Sequence, residues 1–187
     1  MALTETPICN FGEKAKDFML PSTKNNKVSL KDCKGKNGTL VMFICNHCPY
    51  VKAIAKRLAT DAKALQQMGI WVIAIMANDP KQNTEDSFEN MAAVAQDYGF
   101  TFPYVFDETQ DVARAYDAVC TPDFFGFNSN LELQYRGRLD ESGRMPSSAT
   151  TRRELVEAMT QVVETGMGPK EQIPSMGCSI KWRPKEI

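Results

Sequence analysis

The residues of this chain best suited to chemistry are Cys45-Asn46-His47-Cys48, followed by Pro49. Two thiols three positions apart can close into a disulfide or bind a metal, and a proline just after the second opens a helix, because its missing N–H is not needed in a first turn. An unbroken apolar run over residues 39–45 precedes the motif, so Cys45 is expected to end a buried strand at the N-terminus of that helix. Unpaired amides and the positive end of the helix dipole lower a thiol there from about 8.5 toward about 3.5 to 7.5. Cys45 is therefore the candidate nucleophile. Cys48, one helical turn on, is the sulfur that attacks a mixed disulfide and releases the product. His47 is the only histidine in 187 residues. Standing between the two sulfurs, it either carries positive charge beside Cys45 or faces solvent. A serine-histidine-aspartate site would have to be built on that one imidazole, and a zinc centre with several histidine ligands has no residues to form it.

Two other readings of the motif compete with redox exchange. The cysteines are buried structural residues, or they are half of a zinc site completed by Cys120 and Cys178. Each of those stands alone in the chain rather than in a second Cys-x-x-Cys, which weakens the zinc reading. Six cysteines in 187 residues are far too few for a disulfide scaffold. Twenty-two basic against 23 acidic residues leave a net charge of −1, so no general field draws the molecule to nucleic acid or anionic lipid. The first residues lack the basic stretch and apolar core of a secretory leader, and no run suits a membrane span, so the expected location is cytoplasmic.

The elements that must hold the motif follow from periodicity. Residues 70–77 form a second apolar strand, and Val51, Ile54, Ala55, Leu58, Ala62 and Leu65 recur at helical spacing between the two strands, ending at Gly69. This is a βαβ unit. A second helix is expected from residue 83 or 84 to 98, then a short strand over 102–106. Residues 131–136 alternate as a half-exposed strand, antiparallel to residues 124–127 through a turn at 128–130. Thr151 to Glu154 reads as a capping box opening a last helix that runs through Val163 and stops at Gly166. A small hairpin at the front pairs residues 18–20 with 28–30. The expected architecture is α/β: a central mixed sheet flanked by helices, with an N-terminal hairpin and a C-terminal tail. Residues 1–187 form one domain, with its core at 10–165 and an irregular tail at 166–187 that is either packed down or functional.

With the Cys-x-x-Cys-Pro motif at the first strand-to-helix junction, this pattern resembles the thioredoxin-like superfamily. The segments Asp17-Phe-Met-Leu, Phe43 to Val51, Cys120-Thr-Pro-Asp-Phe-Phe125, Tyr135 to Asp140 and Ser175 to Trp182 resemble the peroxiredoxin-like branch of the alkyl hydroperoxide reductase/thiol-specific antioxidant family. The resemblance implies that Thr121-Pro122 is a cis-proline loop facing the sulfurs. Its Thr121 backbone would then be free to pair with an extended substrate segment beside Cys45. It also raises Cys120 and Cys178 as a second redox pair.

The sequence departs from both parent patterns. The buried acid that thioredoxins place six residues before the first cysteine is here Thr39, and the Pro-x-x-x-Thr/Ser-x-x-Cys of peroxiredoxins is missing. Arg136 and Arg138 are the candidate oxyanion donors for peroxide, or they are solvent-facing strand charges. Thiol-disulfide exchange with an antioxidant role therefore ranks first, thiol peroxidase activity through Cys45 second, and a metal-binding module third. The expected substrate is a protein or small-molecule disulfide or thiol, with peroxide as the alternative. No cofactor, resident metal or nucleic-acid partner is expected.

Overall fold

The computed structural model describes residues 3–184. In chain order its elements are β1 (Leu3–Glu5), β2 (Met19–Pro21), β3 (Lys27–Ser29), β4 (Gly38–Phe43), α1 (Pro49–Gln67), β5 (Ile70–Met76), a 3-10 turn (Thr84–Asp86), α2 (Phe88–Asp97), β6 (Tyr104–Phe106), α3 (Asp111–Ala115), β7 (Cys120–Thr121), β8 (Asp123–Phe127), β9 (Leu133–Tyr135), α4 (Glu154–Thr165) and β10 (Met176–Ser179). The central sheet has the order β6-β5-β4-β8-β9. The βαβ unit is parallel, with Gly38 to Phe43 opposite Ile70 to Ile75, while β4–β8 and β8–β9 are antiparallel, which makes the sheet mixed.

Because side chains alternate along a strand, the sheet separates two apolar layers. Leu40 and Met42 of β4 face a cluster that includes Leu58 and Leu65 of α1, Met91 of α2, and Leu155 and Met159 of α4. Val41 and Phe43 face the other way, against Leu20 and Val28 of the β2–β3 hairpin and Ala113 of α3. A strand apolar on both faces is thus explained by cover on both faces.

Three local expectations are corrected. The helix expected from residue 83 or 84 is broken at Ser87, whose extended backbone (φ −65°, ψ 153°) and hydroxyl, accepting from the Asn90 N–H, begin α2 anew after the 3-10 turn. The capping box does not form. Arg153 is the cap residue of α4, Thr151 Oγ1 accepts from Ser148 N–H instead, and Glu154 pairs with Arg138. The strand at Leu133–Tyr135 is buried on both sides rather than half-exposed, because the chain after α4 folds back over it. The N–H of Gly168 donates to Gln134 Oε1, and Gln172 Nε2 donates to the Gln134 carbonyl.

The tail is not irregular throughout. Its strand β10 lies between β1 and β7 in a separate antiparallel sheet, with Cys178 opposite Thr121 and Ser179 opposite Cys120. Among the described residues no helix is long and apolar enough to cross a membrane.

Candidate active site

The site forms where β4 gives way to α1. The strand ends at Phe43, yet the Ile44 N–H still donates to the Ile75 carbonyl (3.1 Å), so Cys45 leaves the sheet from a fixed point. The chain turns through Asn46 and His47. Cys48 is the N-cap (φ −64°, ψ 121°), with Pro49 as the first helical residue and the Lys52 N–H closing the first helical bond on the Cys48 carbonyl at 2.9 Å. The helix starts at Cys48-Pro49, as the sequence pattern indicates, so the thiol at the N-cap itself is that of Cys48.

Thr121 sits between the two sulfurs. Its Oγ1 is 3.2 Å from Cys45 Sγ, and its carbonyl oxygen is 3.2 Å from Cys48 Sγ. The Thr121–Pro122 bond is cis. Both cysteines are almost fully buried, Cys45 at 1% and Cys48 at 0% exposure. A hydrogen bond from the Cys45 thiol lowers the Cys48 thiol to about 4, helped by the Val51 and Cys178 amides and opposed by burial. Burial pushes the Cys45 thiol well above its ordinary range, and its bond to Cys48 and the nearby Asp86 charge add to this. The lowering expected for the Cys45 thiol thus falls on Cys48 instead, and the two thiols titrate as a pair, one proton lost easily and the second held.

His47 is neither solvent-facing nor free. It is 8% exposed, and its Nδ1 lies 2.5 Å from Asp86 Oδ2 and 3.8 Å from Cys45 Sγ. Asp86, at the end of the 3-10 turn, is fully buried and organises the whole turn. Its Oδ1 accepts the N–H groups of Asn46 (2.8 Å) and His47 (3.1 Å), and its Oδ2 also accepts from Asn78 Nδ2 (2.9 Å). Burial works to raise this carboxyl, but the bonds from His47 and Asn78 outweigh it and hold it below its usual value. Asn46 is fixed in turn by the buried Tyr104 hydroxyl, which donates to its Oδ1 at 2.9 Å.

Asp86, Asn78 and Tyr104 were not legible as site residues, because they come from three segments remote from the motif. The one available signal was the lack of an acid at position 39, where the Thr39 hydroxyl bonds the Cys33 carbonyl (2.9 Å) instead. A buried carboxylate is present after all, supplied by the 3-10 turn between β5 and α2.

Ligand atoms of Cys45, His47 and Asp86 lie within 4.8 Å of one another. The Asp86 oxygens are already engaged by four nitrogen partners, so the group is organised for hydrogen bonding rather than for holding a cation.

The remaining expected residues separate. Cys178 and Thr121 are register partners, whereas Cys120 is opposite Ser179, so Cys120 projects to the other side of the ladder from Cys178. The Cys120 thiol faces the Pro122 carbonyl at 3.6 Å. Arg136 is buried against Asp123 (3.1 Å) with its guanidinium over the Phe125 ring, and Arg138 is held by Glu154 (2.5 Å). Both are paired with carboxylates, Arg136 in the interior and Arg138 at the wall of the cleft that Pro122 also lines. The Thr121 backbone is not free either, since β10 is paired to it.

A cleft next to the motif is lined by Tyr50, Ile54, Pro122, Phe124, Arg144 and Met176. It adjoins the cis-proline loop on the side of α1.

A parallel βαβ core with paired cysteines at its first strand-to-helix junction, facing a cis proline, is a thioredoxin-like fold. The chain belongs to the AhpC/TSA family, whose model matches residues 11–139. The thiol-disulfide oxidoreductase ResA of Bacillus subtilis is 27% identical over 117 residues, 63% of this chain, and the match spans only 61% of that relative's length. A solved structure of a conserved protein from Geobacillus kaustophilus is 42% identical, with a TM-score of 0.93 over 100% of this chain and 99% of that one. The thioredoxin domain of a thiol-disulfide oxidoreductase from Bacteroides vulgatus shares the fold, with 19% identity and a TM-score of 0.57 over 67% of this chain and 86% of that one.

Proposed function

We propose that the chain catalyses thiol-disulfide exchange with Cys45 as the attacking sulfur and Cys48 as the resolving one, as part of an antioxidant or redox-maintenance role in a reducing compartment such as the cytoplasm. The observation that carries this reading is the pair of buried sulfurs at the start of α1, both touched by Thr121 of the cis-proline loop at 3.2 Å. Cys48, ionised at neutral pH, takes the Cys45 proton, and Cys45 attacks one sulfur of a substrate disulfide. A Cys45–substrate disulfide forms, and the first substrate thiolate leaves with the proton now on Cys48. Cys48 gives its proton to the departing substrate sulfur and attacks the Cys45 sulfur, closing the Cys45–Cys48 disulfide and releasing the second substrate group as a thiol. The Thr121 hydroxyl, 3.2 Å from Cys45 Sγ, donates to that sulfur when it is anionic. Asp86 holds the loop that carries both cysteines, acting through the Asn46 and His47 amides.

Peroxide reduction ranks below exchange because the two guanidiniums of the Arg136–Arg138 segment are bound to Asp123 and Glu154. The test is reduction of insulin with dithiothreitol as donor. Wild type accelerates precipitation, Cys45→Ser falls to the uncatalysed rate, and Cys48→Ser accumulates a mixed disulfide on Cys45. A wild type that leaves insulin untouched but consumes hydrogen peroxide far faster than free cysteine would replace this reading with the peroxidase one.

A further inference from the structure

The edge of the cis-proline loop, where an extended substrate would add a strand, is occupied by the chain's own β10. Gly177 shows how closely: a methyl group there would lie 2.0 Å from the Thr121 carbonyl oxygen and 3.1 Å from the Pro122 nitrogen. Only a residue without a side chain lets β10 lie flush on the loop. The next residue is Cys178, paired with Thr121, so its side chain projects to the same side as the threonine whose hydroxyl and carbonyl touch the two motif sulfurs.

Cys178 is 4% exposed and packs in the same apolar cluster as Cys45 and Cys48. The Thr121 carbonyl, on the residue Cys178 faces across the ladder, also touches Cys48 Sγ at 3.2 Å, and the Thr121 hydroxyl touches Cys45 Sγ at 3.2 Å, so the three cysteines gather around one threonine. Thiol-disulfide exchange requires such a gathering, since entering, central and leaving sulfurs must come into contact.

We propose that β10 is a built-in substrate strand and that Cys178 is a third redox residue exchanging with Cys48. This rests on the exchange reading above. Once a substrate disulfide has oxidised the pair, the Cys178 thiolate attacks the Cys48 sulfur. A Cys48–Cys178 bond forms, the Cys45–Cys48 bond breaks, and Cys45 leaves as a thiolate that takes up the proton Cys178 has lost. No electrons enter or leave in this step. Burial, the hydrogen bond to Cys48 and the charge on Cys48 hold the Cys178 thiol at about 11 in the reduced protein. The Cys48 contributions vanish once that sulfur is in a disulfide, which eases ionisation of Cys178 against the burial that still opposes it. The oxidised equivalent is then stored under β10 while Cys45 meets another thiol or disulfide. With the strand-docking edge filled, the substrate that fits is a small disulfide or a protruding cystine rather than an extended segment.

Trypsin releases Cys45 and Cys48 together in peptide 37–52 and Cys178 in peptide 171–181, so the step is readable by mass. Wild type is oxidised with one equivalent of diamide and left in iodoacetamide, which traps any released Cys45. The expected product is alkylated Cys45 with the two peptides linked through Cys48 and Cys178. A Cys45–Cys48 disulfide that persists while Cys178 becomes fully alkylated would overturn the proposal. The Cys45→Ser variant, oxidised in the same way, is expected to give the 37–52/171–181 cross-link, which Cys178→Ser abolishes. Cys45→Ser with Cys178 left free is the second overturning result. Insulin reduction by wild type reports separately on exchange, so either reading can fail without the other.

Discussion

At the scale of single residues, the functional arrangement depends on one carboxylate that the sequence conceals. Cys45, His47 and Cys48 are legible because they are contiguous, and Thr121-Pro122 because a resemblance marks it. Asp86 lies 39 residues beyond His47 in a segment whose pattern reads as one continuous helix. Only the break at Ser87 turns the carboxylate toward the motif. With four partners and no exposure, Asp86 is a positioning residue whose replacement should be costly. Asp86→Asn keeps the shape but sets an amide NH2 against N–H donors and removes the charge, so stability should fall by about 2 to 4 kcal/mol. At about 2 to 4 °C per kcal/mol for a chain of this size, the melting temperature drops accordingly. Urea unfolding of the reduced protein measures the effect. A loss under about 0.5 kcal/mol, the range of an ordinary surface substitution, would show that the network does not hold the loop.

Among the elements, α1 and the strands on either side were readable because each is long, strongly apolar and punctuated, by Pro49 at one end of the helix and Gly69 at the other. The small sheet β1-β10-β7 was not. Its strands are two to four residues long, and their pairing joins residue 3 to residue 178. No local period reports such a contact, and short strands gain their stability from what lies beneath them. The same sheet decides what reaches the sulfurs, and its weakest point to substitution is Gly177. Gly177→Ala places a methyl group against backbone that cannot rotate away, a cost of about 1 to 3 kcal/mol, and should lift β10 from β7 while the two cores remain. Cys178, 4% exposed in place, then reacts with a chromogenic aryl disulfide at least tenfold faster, with far-UV circular dichroism near that of wild type. Unchanged labelling of Cys178 would mean that β10 is not held by this close approach.

For the molecule as a whole, the folded state holds an ionised sulfur in a nearly dry interior, and this makes global stability a readout of the site. Cys48 is lowered from 9.0 to about 4 on folding, so between those values the unfolded chain binds a proton that the folded chain does not. Stability of the reduced protein therefore gains from Cys48 as pH rises across that window, and the gain is lost as pH falls toward about 4. Two buried carboxyls titrate nearby with opposite signs. Asp86, lowered on folding, adds stability above its unfolded value. Asp123 is raised to about 6 by burial against the pull of Arg136, and it costs stability as pH climbs from 3.8 to that value. Both are common to wild type and Cys48→Ser, so the difference between the two proteins isolates the sulfur. Unfolding free energies measured in urea with a phosphine reductant at pH 5, 6, 7 and 8 should diverge steadily in favour of wild type. The slope for one full proton is about 1.4 kcal/mol per pH unit. Closing the Cys45–Cys48 disulfide removes the ionisable thiol and should remove the divergence with it. A constant difference across the series in the reduced protein would mean that folding does not ionise Cys48 in this range, and the exchange mechanism would lose its base.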